Sequence, residues 1–229
     1  MTLKLYYDLF SQPSRALYIF FKMCNIPFEE QIVNLTKLEQ YTPKFEAINS
    51  FKKVPVIEHN GFKLIESVAI VRYICREFKV DDKWYPQDSK HQAKVDEYLE
   101  WQHLNTRLFC ATYFLTKFLN PLMRGTPPKP EKVAEAEKRM NDCLDIIETI
   151  WLKDKPYLVG NTISVADIFG VCELEQTRLA GYDPKKERPH LTAWMERIAR
   201  ETSPHYENAH KYLNKLAKAD STQQFGVKL

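Results

Sequence analysis

The sequence predicts an α/β unit in the order β-α-β-α-β-β-α over residues 1–78, a linker at 79–90, and an all-helical domain over 91–229. Three observations predict it. Strand signals occur only in the first third, where they interleave with helix signals. Asn60-Gly61 lies between two strand-like runs and marks an antiparallel hairpin, because both turn positions need positive φ. Beyond residue 90 every periodic stretch has helical spacing. A parallel β-α-β start followed by an antiparallel hairpin makes a mixed sheet with helices packed against it.

Each element has its own local reason. Leu3, Leu5, Tyr7 and Leu9 alternate with Lys4, Tyr6 and Asp8, a period-2 strand. Ser11-Gln12-Pro13-Ser14 starts a helix, with a hydroxyl at the cap and a proline in the first turn, where no amide hydrogen is needed. That helix continues to Met23 and stops before Asn25-Ile26-Pro27. A second strand is expected over 30–34 and a short helix over 44–47, between Pro43 and Asn49. The hairpin strands span 54–58 and 62–65; Glu66-Ser67 then opens a helix carrying Ile70, Tyr73, Ile74 and Phe78. In the helical part, Val95, Leu99, Gln102 and Thr106 lie on one stripe of a single long helix starting near His91. The stretch 125–130 breaks the pattern, and a second long helix is expected over 131–153. Ser164-Val165-Ala166-Asp167 reads as a capping box. Further helices are expected at 189–200 and 204–218, with a polar, frayed tail from 219.

Composition removes several classes of function. The 33 basic and 30 acidic residues leave a net charge of +3, too slight to imply nucleic acid, and clusters such as Lys185-Lys186-Glu187-Arg188 are broken by acids. The 6 glycines stand singly, so no Gly-rich phosphate loop can form. The 5 cysteines have no CxxC spacing, which fits reduced thiols and excludes a CxxC redox centre or zinc ribbon. The 6 histidines form no HExxH pair, so no metal site is expected. The longest apolar run, 16–21, is far short of the roughly 20 residues of a membrane helix, and the N-terminus lacks a signal-peptide layout. A soluble cytoplasmic protein is the expectation.

Five segments in order carry a resemblance: Leu9-Phe10-Ser11-Gln12-Pro13-Ser14-Arg15-Ala16, Lys52-Lys53-Val54-Pro55, Glu66-Ser67-Val68-Ala69-Ile70, Trp84-Tyr85-Pro86-Gln87-Asp88, and 95–103 (VDEYLEWQH). Together they resemble the cytosolic glutathione transferases, and among these the theta class, over essentially the whole chain. The resemblance implies a thioredoxin-like N-terminal domain and an all-helical C-terminal domain. It implies a homodimer that transfers the sulfur of glutathione, a co-substrate, to small hydrophobic electrophiles without any cofactor. The class suggests alkyl halides, epoxides, isothiocyanates or organic hydroperoxides.

Such an enzyme must supply a thiolate at neutral pH from a thiol of pKa about 8.5. Lowering that by about two units needs roughly 2.7 kcal/mol of preference for the anion. One charge-assisted hydrogen bond contributes about 1.5–3 kcal/mol and a helix N-terminus about 0.3–1. By resemblance the donor is Ser11, whose alternative role is plain helix capping. Tyr6, Tyr7 and Ser14 are rivals, Tyr7 having the parity of a core residue. No cysteine occupies 11–14, which argues against thiol-exchange chemistry.

The binding set follows in the same way. Gln12 adjoins the donor. Val54 offers main-chain groups to the peptide backbone of glutathione, and a thioredoxin-like fold implies a cis Val54-Pro55 bond. Ser67 takes the γ-glutamyl carboxylate and Glu66 the ammonium. Lys53 faces the glycine carboxylate; Gln40 stands where theta enzymes often carry a histidine for that end. Arg107 resembles the arginine that reaches glutathione near the sulfur. Phe10, Phe109, Tyr113, Phe114 and Phe118 are candidate apolar walls of an electrophile site roofed by the long helix and the C-terminal segment. Two other readings stay open: a non-catalytic binding protein of the same fold, and a glutathione-dependent hydroperoxide reductase.

Overall fold

Alternation in Leu3–Tyr7 (β1) sends Leu3, Leu5 and Tyr7 to one face of a sheet and Tyr6 to the other. The structure, a computed structural model describing residues 2–217, builds a four-stranded sheet around that strand. β1 pairs in parallel with Glu29–Ile32 (β2) and antiparallel with Val56–His59 (β3), which pairs with Phe62–Leu64 (β4), giving the order β2-β1-β3-β4. Asn60 (φ 52°) and Gly61 (φ 87°) form the hairpin turn with the positive φ that their spacing predicts. Helices Gln12–Met23 (α1) and Ser67–Glu77 (α3) cover the Leu5 face. Two 3-10 turns, Leu35–Lys37 and Glu39–Tyr41, lead into Pro43–Glu46 (α2), whose Phe45 packs with Val33 and Val56 on the Tyr6 face. This is the thioredoxin-like arrangement.

Seven helices follow among the described residues: Ser89–Leu104 (α4), Thr106–Phe114 (α5), Asn120–Arg124 (α6), Pro130–Ile146 (α7), Val165–Gln176 (α8), Pro189–Glu201 (α9) and His205–Ala217 (α10). The single long helix expected from His91 through Thr106 is broken at Asn105 (φ −124°, ψ −95°). Its amide donates to the Trp101 carbonyl at 2.8 Å, so a short polar side chain competes with the helical ladder and re-aims the chain. Val95, Leu99, Gln102 and Thr106 are nonetheless all buried. The tail from 219 lies outside the described residues.

Helix α8 is buried on every side and packs against α1, α4, α5 and α9. Its start is set by the expected capping box. The Asp167 carboxylate accepts from Ser164 N (2.8 Å) and Ser164 Oγ (3.1 Å), and also from Leu158 N (2.9 Å) and Trp194 Nε1 (2.9 Å). A buried carboxylate with four donors is fully satisfied. No helix among the described residues is long and apolar enough to cross a membrane.

Candidate active site

The head of α1 carries Ser11 in extended conformation (φ −84°, ψ 127°), and its side chain makes no capping hydrogen bond. A capping hydroxyl accepts from the second or third helical amide, and here Pro13 occupies the second position and has no amide hydrogen. Ser11 is half-buried, held through its main chain: its N–H donates to Asp8 O and its carbonyl accepts from Arg15 N, both at 3.0 Å. The preceding loop is pinned from both sides. Asp8 accepts from Phe10 N and Leu35 N at 2.8 Å each. Arg15, fully buried, donates to the carbonyls of Leu9 (2.9 Å) and Phe10 (3.3 Å) and, across the domain boundary, to Cys172 O (3.0 Å) and Gln176 Oε1 (2.6 Å).

The rival donors are engaged elsewhere. Tyr7 is in the core, donates to Glu30 at 2.7 Å, and has its pKa driven far up by burial and then by that carboxylate. Tyr6 points to the α2 face and donates to Glu58 at 3.3 Å. Ser14 is fully buried inside the helix. Burial also pushes up every cysteine thiol, to about 12 for Cys24, Cys75, Cys143 and Cys172 and well up for Cys110, so the chain holds no activated thiol of its own.

Beside the α1 head lies a cavity of about 200 Å³. Pro13 lines it together with Lys53, Val54, Glu66, Ser67 and Arg107, so five of the expected binding residues share one space. Ser11 and Gln12 immediately precede Pro13 but are not in its wall. Gln40, on the 3-10 turn Glu39–Tyr41, is not in it either, and its Oε1 is buried with no partner among the described residues.

The wall has a graded chemistry. Val54-Pro55 is cis, and neither main-chain group of Val54 has a partner among the described residues. Asn49, which sequence reasoning passed over, also lines the cavity; its amide donates to Lys53 O at 2.8 Å and its oxygen accepts from Phe51 N at 3.0 Å. Lys53 is exposed and meets no carboxylate within 4.0 Å among the described residues, whereas Lys52 pairs with Glu46 at 3.1 Å. Glu66 sits at φ 66°, ψ 106°, a strained conformation for a side-chain-bearing residue, costing about 1–3 kcal/mol and common at ligand sites. It turns β4 into α3, whose first residue, Ser67, is 6% exposed. Cation, open backbone edge, helix N-terminus and carboxylate thus line one space. Such a wall complements an extended peptide with a carboxylate at each end and one ammonium. Arg107 comes from the helical domain and donates to the buried Glu173 at 3.2 Å. Sequence alone did not point to Glu173 or Arg15, since a charged residue gives no local sign that it will be buried.

The aromatic residues divide. Phe10 packs edge-on against Phe114 (5.8 Å) and Tyr212 (6.2 Å), and Phe114 stacks on Phe118 (5.6 Å). Phe109 is half-buried. Tyr113 belongs to the interior, fully buried, donating to Ala180 O at 3.5 Å and accepting from Lys117 at 2.7 Å. The expected C-terminal roof beyond 217 lies outside the described residues.

Comparisons with known proteins agree with this architecture. The model of the glutathione S-transferase N-terminal domain matches residues 1–76, and that of the C-terminal domain matches 107–201. The chain is 40% identical over 216 residues to glutathione S-transferase theta-3 of Mus musculus, covering 94% of this chain and 90% of that one. It is 42% identical over 198 residues to theta-1 of Bos taurus, covering 86% and 82%. Among solved structures, the apo human T1-1 enzyme superposes with a TM-score of 0.90 at 38% identity over 97% of this chain and 95% of that one. Human theta-2, in complex with glutathione and an unknown ligand, gives 0.90 at 34% identity over 96% and 91%. The chain belongs to the glutathione S-transferase family, within it to the theta class, and is a glutathione-conjugating transferase.

Proposed function

We propose that the cavity beside α1 holds glutathione and that Ser11 donates its hydroxyl hydrogen bond to the sulfur, keeping it as the thiolate that attacks small hydrophobic electrophiles. The observation that carries this reading is the Ser11 hydroxyl at the α1 N-terminus, which makes no capping hydrogen bond among the described residues and stands next to a cavity lined by matching groups. One hydrogen bond to an anion plus the helix-terminus field supplies roughly the 2.7 kcal/mol that a two-unit drop in thiol pKa requires. Attack forms the carbon–sulfur bond as the leaving group departs with its electron pair, as an epoxide ring opens and its oxygen takes up a proton, or as the C=N π bond of an isothiocyanate breaks and its nitrogen takes up a proton. No metal or cofactor enters this scheme.

Residues 1–78 form the glutathione-binding domain, 79–90 the linker, and 91–229 the domain that supplies the electrophile site against Phe10, Phe114 and Phe118. Val54 pairs with the cysteinyl backbone of the tripeptide. Glu66 and Ser67 bind its γ-glutamyl end, Lys53 its glycine carboxylate, Arg107 the region of the sulfur, and Gln12 the turn beside it. Gln40 serves the glycine end only if its turn closes on the ligand, since it stands outside the cavity wall. The working form is a cytoplasmic homodimer.

The test is the ultraviolet thiolate band that appears when glutathione is added at neutral pH. The wild-type chain develops it. Ser11→Ala raises the pH at which it appears and cuts turnover at least about ten-fold, the cost of about one hydrogen bond. Full turnover and an unmoved band in Ser11→Ala would refute the assignment.

A further inference from the structure

We infer that the buried Glu173 carboxylate is a positioning residue that holds Arg107 at the cavity and limits how much of its positive field reaches the sulfur. The inference rests on the cavity being the glutathione site. Arg107 is the one residue of the helical domain in the wall of that cavity among the described residues. Its side chain is 35% exposed, whereas that of Glu173, on α8, is 1% exposed. One Glu173 oxygen accepts from Arg107 at 3.2 Å; the other is buried with no partner among the described residues.

A buried carboxylate remains charged only if a cation or several donors compensate it. The groups facing Glu173 are Arg107 and Cys110 from α5, Arg15 from α1, and Cys172 on α8 itself. Burial raises the Glu173 pKa on balance, with Arg107 and then Arg15 opposing it, so it is the 3.2 Å pair with Arg107 that holds the carboxylate as an anion. Both cysteine thiols stay neutral, their pKa values raised by burial. Arg15 is already committed to four carbonyl-type oxygens, so among the described residues Arg107 is the only partner of Glu173 that also borders the cavity. The guanidinium is therefore shared between a fixed anion behind it and the ligand in front. The anion fixes where the cation sits and cancels part of its charge.

The experiment titrates the thiolate band of bound glutathione against pH in the wild type, Glu173→Gln, Arg107→Gln and the double variant. Glu173→Gln keeps the shape and removes the offsetting charge. Its band midpoint falls by roughly half a unit to one unit, the size of one unit charge nearby, and the pH–rate profile of conjugation moves with it. Arg107→Gln raises the midpoint by a similar amount. In the Arg107→Gln background Glu173 is left buried and unpaired and takes up a proton, so adding Glu173→Gln changes nothing further. An unmoved midpoint in Glu173→Gln, or full additivity in the double variant, overturns the inference. If Glu173→Gln fails to fold, Glu173→Asp, which keeps the charge but draws it back from Arg107, decides: a lowered midpoint supports the inference and an unmoved one overturns it. A wild type with no band at all refutes the glutathione assignment of the cavity itself, which separates the two failures.

Discussion

His210, on α10, is fully buried; its Nδ1 donates to the Tyr206 carbonyl at 2.9 Å and its Nε2 has no partner among the described residues. Burial, and next the Arg15 charge, lower its pKa to about 4, against the pull of Glu175. A base whose folded pKa lies below its unfolded value of about 6.5 binds fewer protons folded than unfolded between those two values. Stability from His210 is therefore complete above about pH 6.5, falls as pH drops through the window, and levels off below about pH 4. The loss amounts to about 3 kcal/mol across the window, to order of magnitude. Replacing His210 by Gln flattens the acid limb of a stability-against-pH curve taken from urea unfolding; an unchanged slope contradicts this account. Ser11 and Glu173 show the contrast in what could be read beforehand. The role proposed for Ser11 is local, a hydroxyl two residues before a proline at a helix start, and that spacing is visible in the chain. The role inferred for Glu173 depends on its ion pair with Arg107, 66 positions away, and no local pattern records it.

At the scale of elements, α8 shows tertiary packing overriding intrinsic propensity. Gly170 lies in the middle of this helix, where Ala is ordinarily better by about 1 kcal/mol. A Cβ there would lie 2.7 Å from the Tyr98 hydroxyl, 3.0 Å from Leu158 Cδ1 and 3.2 Å from Trp194 Cη2. Tyr98 and Leu158 are fully buried and Trp194 nearly so, which leaves no room to yield. Gly170→Ala therefore destabilises by about 1–3 kcal/mol through overpacking, read as a lower urea midpoint with an unchanged m value. A rise in midpoint would mean that propensity wins after all. The α4–α5 break belongs to the same scale. Apolar spacing runs through Asn105 without interruption, so periodicity predicts one helix, and the amide that diverts the chain becomes decisive only once Trp101 O is within reach.

For the whole molecule, Arg15 joins the parts. Its guanidinium links the carbonyls of Leu9 and Phe10, beside the proposed Ser11 donor, to Cys172 and Gln176 of the central helical-domain helix. Arg15→Leu removes a donor from four acceptors, two of them in buried hydrogen bonds (Cys172 O and Gln176 Oε1) and two in partly buried ones. Each unsatisfied group costs about 1–3 kcal/mol, and breaking a buried charged network typically costs about 3–5 kcal/mol in all. Expected is a large fall in urea midpoint, with far-ultraviolet dichroism and tryptophan fluorescence no longer tracing one transition, since three of the four tryptophans, Trp101, Trp151 and Trp194, lie in the helical domain while Trp84 packs edge-on against Phe20 of α1. Two coincident curves at the wild-type midpoint would show that Arg15 couples nothing.

The chain alone determined the order of elements in residues 1–78, the Asn60-Gly61 hairpin, the α8 capping box, and the short segments that furnish Lys53, Val54, Glu66 and Ser67, because each depends on residues within a few positions of one another. Only the tertiary structure decided that these segments share one cavity with Arg107, that Gln40 stands outside it, and that Arg15, Glu173 and His210 are buried. The reason is physical: propensity and capping act through neighbouring dihedrals and hydrogen bonds, whereas desolvation and ion pairing depend on which distant surfaces the hydrophobic core brings together.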